Sequence, residues 1–439
     1  MTTWQLLAGP STIGPTVQLS KATSRRFTWN LSAPSTAAFT IDGRSQQALS
    51  LAELATDVHL LCNGQPLYTG RLMASQEDFD DAKHTLSVTS RDFRGLLDRR
   101  VLRADTTWTG EVSSVVASML TAATNAPNTT LDFAIPAWVN SDVVVTRTSK
   151  AGASIAAEIQ AIAGGDQGAA SIFDWDISPG WPGRFPRVAQ LWVPQRGRDL
   201  TGTGGVVLDY TYRTRNGRLI PRSSPVAKLS RAFDPSTYAN SLTVTGGTFS
   251  ANYEFPAATA VASFAEVTRG LNLTGAGASV TKTNDNKGTT TQLSDDTTKY
   301  VIAVPTTPTD LSSGEVVWSV GTFGAYEAYT DVTSQAALNA KAAARAEDLR
   351  LITPTYTVTL KDGWWQGPDH IWIGDTIRLI LDSGRLQEDV GLRVTSLDLT
   401  LGDDGQETVT LTVGPTRRDE LSTLIAHAQR LAALERAAS

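Results

Sequence analysis

A single cysteine, Cys62, stands among 439 residues, so the chain can form no internal disulfide and no cysteine-rich metal site. Histidine is almost as scarce. His59, His84, His370 and His427 are isolated, with no HExxH, HxH or His-x-x-Cys spacing to set two ligands on one face. Long apolar runs are missing, and Val112–Leu120 is only about half of what a bilayer crossing needs. The start, Met1-Thr2-Thr3-Trp4-Gln5, has no basic stretch followed by an apolar core. A signal peptide is therefore not expected, and the chain is expected to be made in the cytoplasm. Positive charge is in deficit: 38 Lys and Arg against 44 Asp and Glu leave −6, which argues against a nucleic-acid grip. The short runs Arg25-Arg26, Arg99-Arg100 and Arg417-Arg418 read as solvated faces or ion-pair donors. No G-x-S-x-G elbow occurs, and Gly202-Thr203-Gly204-Gly205 and Gly275-Ala276-Gly277 lack the lysine and helix of a phosphate loop.

What is present is 41% hydrophobic and 19% charged, the composition of a folded globular protein. The length suggests roughly two to four domains. Alternating residues mark strands at Phe27–Leu31 and Leu86–Thr89, and Thr56–Gly70 reads as a hairpin turning at Asn63-Gly64. Arg91–Arg100 reads as one short helix. From Thr106 the period changes: Glu111–Ala123 is an amphipathic helix, and Ile155, Ile159 and Ile162 mark a second, opened by Ser154. Strands are expected at 143–145, 172–177, 189–193 and 206–212, with Ser178–Pro186 a Pro/Gly loop. A second β-rich region starts near Pro225. In it, 270–330 is polar and expected to be a long exposed excursion or an added subdomain. Ser334–Ile352 is an alanine-rich helix. Strands follow at Tyr356–Leu360, Thr376–Leu381 and Leu392–Leu401, and Asp404-Gly405 turns the last hairpin.

Arg418–Ala438 reads as a helix on which Leu421, Leu424, Ala428 and Leu431 follow a three-four spacing, with Leu434 slightly off register. About two heptads are marginal alone, so the helix needs a surface: a partner's, making these residues an oligomer interface, or its own domain's.

Catalytic candidates are few. Asp174-Trp175-Asp176 sets two carboxylates beside an aromatic, and Trp364-Trp365 and a total of 11 tryptophans suit sugar stacking. Carboxylates two apart on a strand usually face solvent together, and at least one of the paired tryptophans is expected in a core or an interface. Asp80-Asp81, Asp295-Asp296 and Asp403-Asp404 read as turn residues without calcium-loop spacing. No catalytic, cofactor or metal residue is assigned, and an enzyme is not expected.

Three blocks carry a resemblance. The first runs Arg26-Phe27-Thr28-Trp29, Pro34-Ser35, Phe39-Thr40-Ile41-Asp42-Gly43, Asp57-Val58-His59, Leu67-Tyr68-Thr69-Gly70-Arg71 and Val88–Leu97. The second is Phe233-Asp234-Pro235 through Leu242-Thr243-Val244-Thr245-Gly246. The third is the alanine-rich helix, Pro354, a strand and Ile373-Gly374-Asp375-Thr376-Ile377-Arg378-Leu379. In this order they resemble the tail hub, or tail-associated baseplate, family of siphophages, especially minor tail proteins of phages infecting actinobacteria. The resemblance is similar in kind to the hub of contractile tails and the type VI secretion spike. It implies a mainly β fold with an α+β insertion: two tube-like β-barrel hub domains at 1–105 and 225–415, an α+β domain at 106–224 and a C-terminal helix at 416–439. It implies a structural tail-tip protein forming a homotrimeric ring that joins tube to tip, with no cofactor. The implied partners are the distal tail protein ring, the tape measure protein and tail-tip or central fibre proteins. DNA would pass without specific binding, and host-envelope contact would be indirect. A distal tail or receptor-binding tip protein is the alternative, with a cell-wall polysaccharide hydrolase further off.

Overall fold

The computed structural model describes residues 3–414 apart from 81, 126–130, 140–142, 164–172, 194, 216–217, 222–223, 233–240, 247–248, 255–258, 264–278, 286–296, 305–306, 313–314, 320–323, 330–333, 337, 340–341, 344, 346–353, 384–385 and 404. The chain divides into two units, Met1–Phe233 with Thr353–Ser439, and Asp234–Ile352. Both boundaries fall inside the 225–415 region outlined from sequence.

In the first unit the strands are β1 (Trp4–Pro10), β2 (Val17–Gln18), β3 (Thr23–Asn30), β4 (Thr36–Asp42), β5 (Thr56–Cys62), β6 (Gln65–Asp80) and β7 (Lys83–Asp92). The expected turn between β5 and β6 is there. Asn63 and Gly64 both take positive φ, 51° and 79°, matching the twist of the strands they join. β7 runs to Asp92, whose side chain caps the short helix α1 (Phe93–Leu97), so the helix expected over Arg91–Arg100 shrinks to five residues. The α+β part follows: β8 (Thr106–Glu111), α2 (Val112–Thr124), β9 (Val144–Ser149), α3 (Ile155–Ala163), β10 (Asp174–Ile177) and β11 (Ala189–Trp192). α2 buries Val112, Val115, Val116, Met119, Leu120 and Ala123, the stripe its spacing outlines. Next come β12 (Val207–Arg215), β13 (Arg218–Pro221) and β14 (Val226–Ala232).

The second unit holds a three-stranded sheet of β15 (Ser241–Gly246), β16 (Phe249–Glu254) and β22 (Gly324–Ala328). It also holds a five-stranded sheet of β17 (Thr259–Ser263), β18 (Ser279–Asp285), β19 (Thr297–Val304), β20 (Thr307–Ser312) and β21 (Glu315–Ser319). The described residues of the polar 270–330 stretch are almost all strand, because its Thr-rich runs alternate well enough to pair. Of the alanine-rich helix, Gln335, Ala336, Leu338, Asn339, Ala342, Ala343 and Arg345 are helical, with Leu338 and Ala342 buried.

The first unit ends in β23 (Thr355–Leu360), β24 (Thr376–Ser383), β25 (Leu386–Leu401) and β26 (Glu407–Gly414). The two β-rich regions of unit one are joined. They form one large curled sheet of 14 strands, ordered β13-β12-β24-β25-β3-β4-β7-β6-β5-β1-β2, with β26, β23 and β14 branching from β25. The seam is the β25–β3 ladder, where Leu397 opposes Trp29 and Leu399 opposes Phe27. One apolar core, including Phe27, Tyr68, Val58, Leu379, Leu399 and Leu411, serves both regions, and a second, including Val116, Met119, Ile159, Phe173 and Trp175, serves the α+β part. Each buried large aliphatic there contributes about 1.5–3 kcal/mol. Among the described residues no helix is long and apolar enough to cross a membrane.

Candidate functional site

The first unit has a recess of about 420 Å³ between β3, β6, the end of β10 and the loop before β24. Its floor is buried: Trp29 alternates inward on β3, Tyr68 inward on β6, and Asp92 closes β7. Its rim is wet, with Asn63, Gln65, Gln366 and Asp369 exposed. The floor is tied down by hydrogen bonds. Trp29 Nε1 donates to Leu67 O at 3.0 Å, and Tyr68 Oη lies 2.9 Å from Ser90 Oγ.

A line of rings backs this wall. Trp4 stacks on Trp365 at 6.1 Å, Trp365 on Trp372 at 6.5 Å, and Trp372 meets Trp29 at 5.1 Å between centroids. Of the Trp364-Trp365 pair, Trp365 is buried and Trp364 half-buried, on a turn and not a strand. The buried one donates from Nε1 to Ile371 O at 3.0 Å.

Asp92 is sealed and both its oxygens are used. Oδ1 accepts from Gly95 N at 2.9 Å and Oδ2 from Ser35 N at 2.7 Å. Burial, with the charge of Asp176 adding to it, raises its carboxyl to about 6. Arg94, whose charge partly offsets that rise, donates to Leu31 O at 3.0 Å and lies 4.9 Å from the Trp175 ring.

The carboxylates weighed as a catalytic pair are both committed. Asp176 Oδ2 accepts from Arg196 Nη1 at 2.7 Å, and Asp174 Oδ2 accepts from Arg196 N at 2.6 Å and from the buried Arg393 guanidinium. Asp174 thereby joins β10 to β25 through Arg393, and both carboxylates are held by guanidinium partners. A second buried cluster sits at Asp57. Its oxygens accept from Arg71 Nε at 2.5 Å and from Arg187 Nη2 at 2.7 Å, and Arg187 lies 4.0 Å from the Phe93 ring centroid. Burial pushes the Asp57 carboxyl up and the Arg187 guanidinium down, so desolvation opposes both charges.

Among the described residues no group of three or more His, Cys, Asp or Glu is placed to hold a metal ion. Leu421, Leu424, Ala428, Leu431 and Leu434 lie outside the described residues. The Asp92, Asp57 and Arg196 clusters escaped sequence reading, because all but one of the partners named for them lie 14 to 219 positions away.

No protein-family model matches the chain, and no curated protein matches it. Solved structures do. A tail protein from Neisseria meningitidis superposes with a TM-score of 0.56 at 12% identity, over 94% of this chain and 97% of the other. The 43 kDa tail protein of a Shewanella oneidensis prophage gives 0.52 at 12%, over 93% and 98%. A Listeria monocytogenes prophage tail protein gives 0.48 at 11%, over 97% and 98%. The chain has a tail-protein fold.

Within that tail-protein fold the hydrogen-bonding path of the curled sheet is open among the described residues. Its ends are β13 and β2. β6 leaves β5 after Arg71 and continues as a hairpin with β7 to Asp80. Among the described residues the outer edge of Ala74–Phe79 pairs with no further strand, and Phe79 near its tip is 73% exposed and stacked on His84.

Proposed function

We propose that the chain is a structural hub of a long-tailed phage, at the tail tip, where copies form a homotrimeric ring joining the tail tube to the tip. The likeness to tail proteins over nearly the whole chain supports a structural tail role. The observation that carries the ring is the curled sheet with an unpaired hairpin edge on β6. In a ring, edges of neighbouring copies pair, and closure removes the aggregation hazard of an open strand. The commitment of Asp174 and Asp176 to guanidinium partners favours scaffold over hydrolase.

In this reading DNA passes through the ring without specific binding, as the −6 net charge favours. The distal tail ring, tape measure protein and tip or central fibre proteins are the neighbours. The helix bearing Leu421, Leu424, Ala428, Leu431 and Leu434 is an oligomer contact. Mass photometry of the purified chain and a reconstruction of the tail tip test the proposal. Three-copy particles on the tail axis are expected, and a strictly monomeric chain within virions would refute it.

A further inference from the structure

The curled sheet contains the same five-strand ladder twice. β3, β4, β7, β6 and β5 pair in that order, and β14, β23, β26, β25 and β24 pair likewise, each junction antiparallel and the chain order of the strands the same. Irregularities fall at matching places. The β6–β7 register shifts between Leu72 and Ala74, just after the buried Arg71. The β25–β26 register shifts between Val394 and Ser396, just after the buried Arg393. The first strand of each ladder shifts too, between Thr23 and Arg26 on β3 and between Val226 and Lys228 on β14.

One junction between the two ladders is made within the chain: the outer edge of β25, Ser396–Leu401, pairs antiparallel with β3. The strands in the corresponding places are left over. Among the described residues Ala74–Phe79 of β6, in the place of β25, pairs with β7 alone, and β14, in the place of β3, pairs with β23 alone.

The matched ladders fix a register for the missing junction. Thr412 is opposite Ser396 and Thr357, and Thr89 is opposite Ala74 and Ala38, so Ala74 stands for Ser396 and Ala38 for Thr357. Arg26 is opposite Ala38 and Ser230 opposite Thr357, so Ser230 stands for Arg26. Within the chain Thr400, four residues past Ser396, is opposite Arg26. Asp78, four past Ala74, then belongs opposite Ser230. The same count sets Glu77 against Arg231, Phe79 against Leu229 and Asp80 against Lys228. Acid meets base at two of these positions and apolar meets apolar at the third. The seam within the chain has the same polarity, with Asp398 of β25 bound to Arg26 of β3 at 3.1 Å.

We propose that Ala74–Asp80 of one copy pairs antiparallel with β14 of the next copy, Asp78 opposite Ser230, so that the seam between copies repeats the β25–β3 seam inside each. This rests on the ring proposed above and names its contact. Two different edges meet, which makes the contact head to tail, the kind that closes into rings. Phe79, 73% exposed in a single copy, is covered by the half-buried Leu229 of its neighbour. Glu77 already holds His84 at 2.9 Å, and Arg231 holds Glu388 at 3.2 Å. Backbone pairing and the Phe79 contact therefore supply the affinity, and the charges select the register.

The test uses the full chain, whose one native thiol, Cys62, is buried. Asp78→Cys combined with Ser230→Cys should give, on mild oxidation, three-copy species that survive denaturing electrophoresis and come apart on reduction. Either cysteine alone, or Asp78→Cys with Ala232→Cys two positions out of register, should cross-link about fivefold less or worse. Lys228→Glu should weaken assembly about tenfold by mass photometry, and Asp80→Lys in the same chain should restore it. Three-copy particles from the parent, with no cross-link from the in-register pair and no effect of Lys228→Glu, would overturn the seam and leave the ring standing. A parent that stays a single copy at every concentration, with no cross-link from any pair, would overturn the ring and the seam together.

Discussion

Arg187 donates from Nη2 to Asp57 Oδ2 at 2.7 Å, and both side chains are sealed from solvent. Arg187 precedes β11 and Asp57 lies on β5, so this bond fastens the α+β part to the curled sheet. Asp57 also holds the buried Arg71, so Asp57→Asn removes the counter-charge of two buried guanidiniums and should destabilise by about 3–5 kcal/mol, whereas Arg187→Met leaves the Asp57–Arg71 pair in place and should cost less. Urea unfolding measures both. A single variant as stable as the parent would show that the pair contributes nothing.

His59 and Asp92 make opposite contributions as pH falls. Thr69 Oγ1 accepts from Gly180 N at 3.0 Å and lies 3.1 Å from His59 Nδ1, and the His59 ring meets the Trp181 ring edge-on at 4.9 Å between centroids. Burial pushes the His59 pKa from 6.5 down to about 3. Between those values the unfolded chain binds the proton more tightly, so stability present above about pH 6.5 is lost on acidification, at roughly 1.4 kcal/mol per pH unit. Asp92, raised from 3.8 to about 6, holds its proton more tightly when folded, so acidification across that window stabilises through it. His59→Gln should therefore resist acid better than the parent, and Asp92→Asn should resist it less. Thermal unfolding at about pH 7 and about pH 4.5 reads both slopes. Parallel profiles in all three proteins would dismiss the pair as the source.

Two glycines meet back to back. Gly197 has φ +108°, and a Cβ there would sit 2.0 Å from Gly374 O, while Gly374 itself has φ +92°. The crossing lets Arg198 N donate to Asp375 Oδ1 at 2.8 Å and Trp372 N to Asp375 Oδ2 at 2.9 Å. Gly197→Ala should cost at least about 2 kcal/mol, through both strain and overlap. An unfolding midpoint unchanged from the parent would contradict this.

The β6–β7 hairpin can be tested apart from folding. Phe79 touches little of its own chain beyond His84, so Phe79→Ser should leave the unfolding midpoint unchanged while weakening ring assembly about tenfold or more. Sedimentation or mass photometry across a dilution series gives the assembly constant. Intact assembly would move the interface elsewhere.

Truncation after Pro415 asks the same of the terminal segment. The last described strand of the curled sheet, β26, ends at Gly414, so unfolding should be unchanged while trimers dissociate at lower dilution. Undiminished assembly would reject an interface role for Leu421, Leu424, Ala428, Leu431 and Leu434.

The sequence alone determined the local elements, because their causes are local. Alternation placed strands such as Thr56–Cys62, Asn63-Gly64 demanded its turn, and the stripe on Val112–Thr124 made a helix with one buried face. Only the tertiary structure decided how those pieces were shared. It joined β25 to β3 in one sheet, set Asp174 against Arg393 across 219 positions, and sealed Asp92 beside Asp176 in a common cavity wall. Those pairings depend on backbone register and on which charges are buried together. Neither quantity has a period that a linear chain displays.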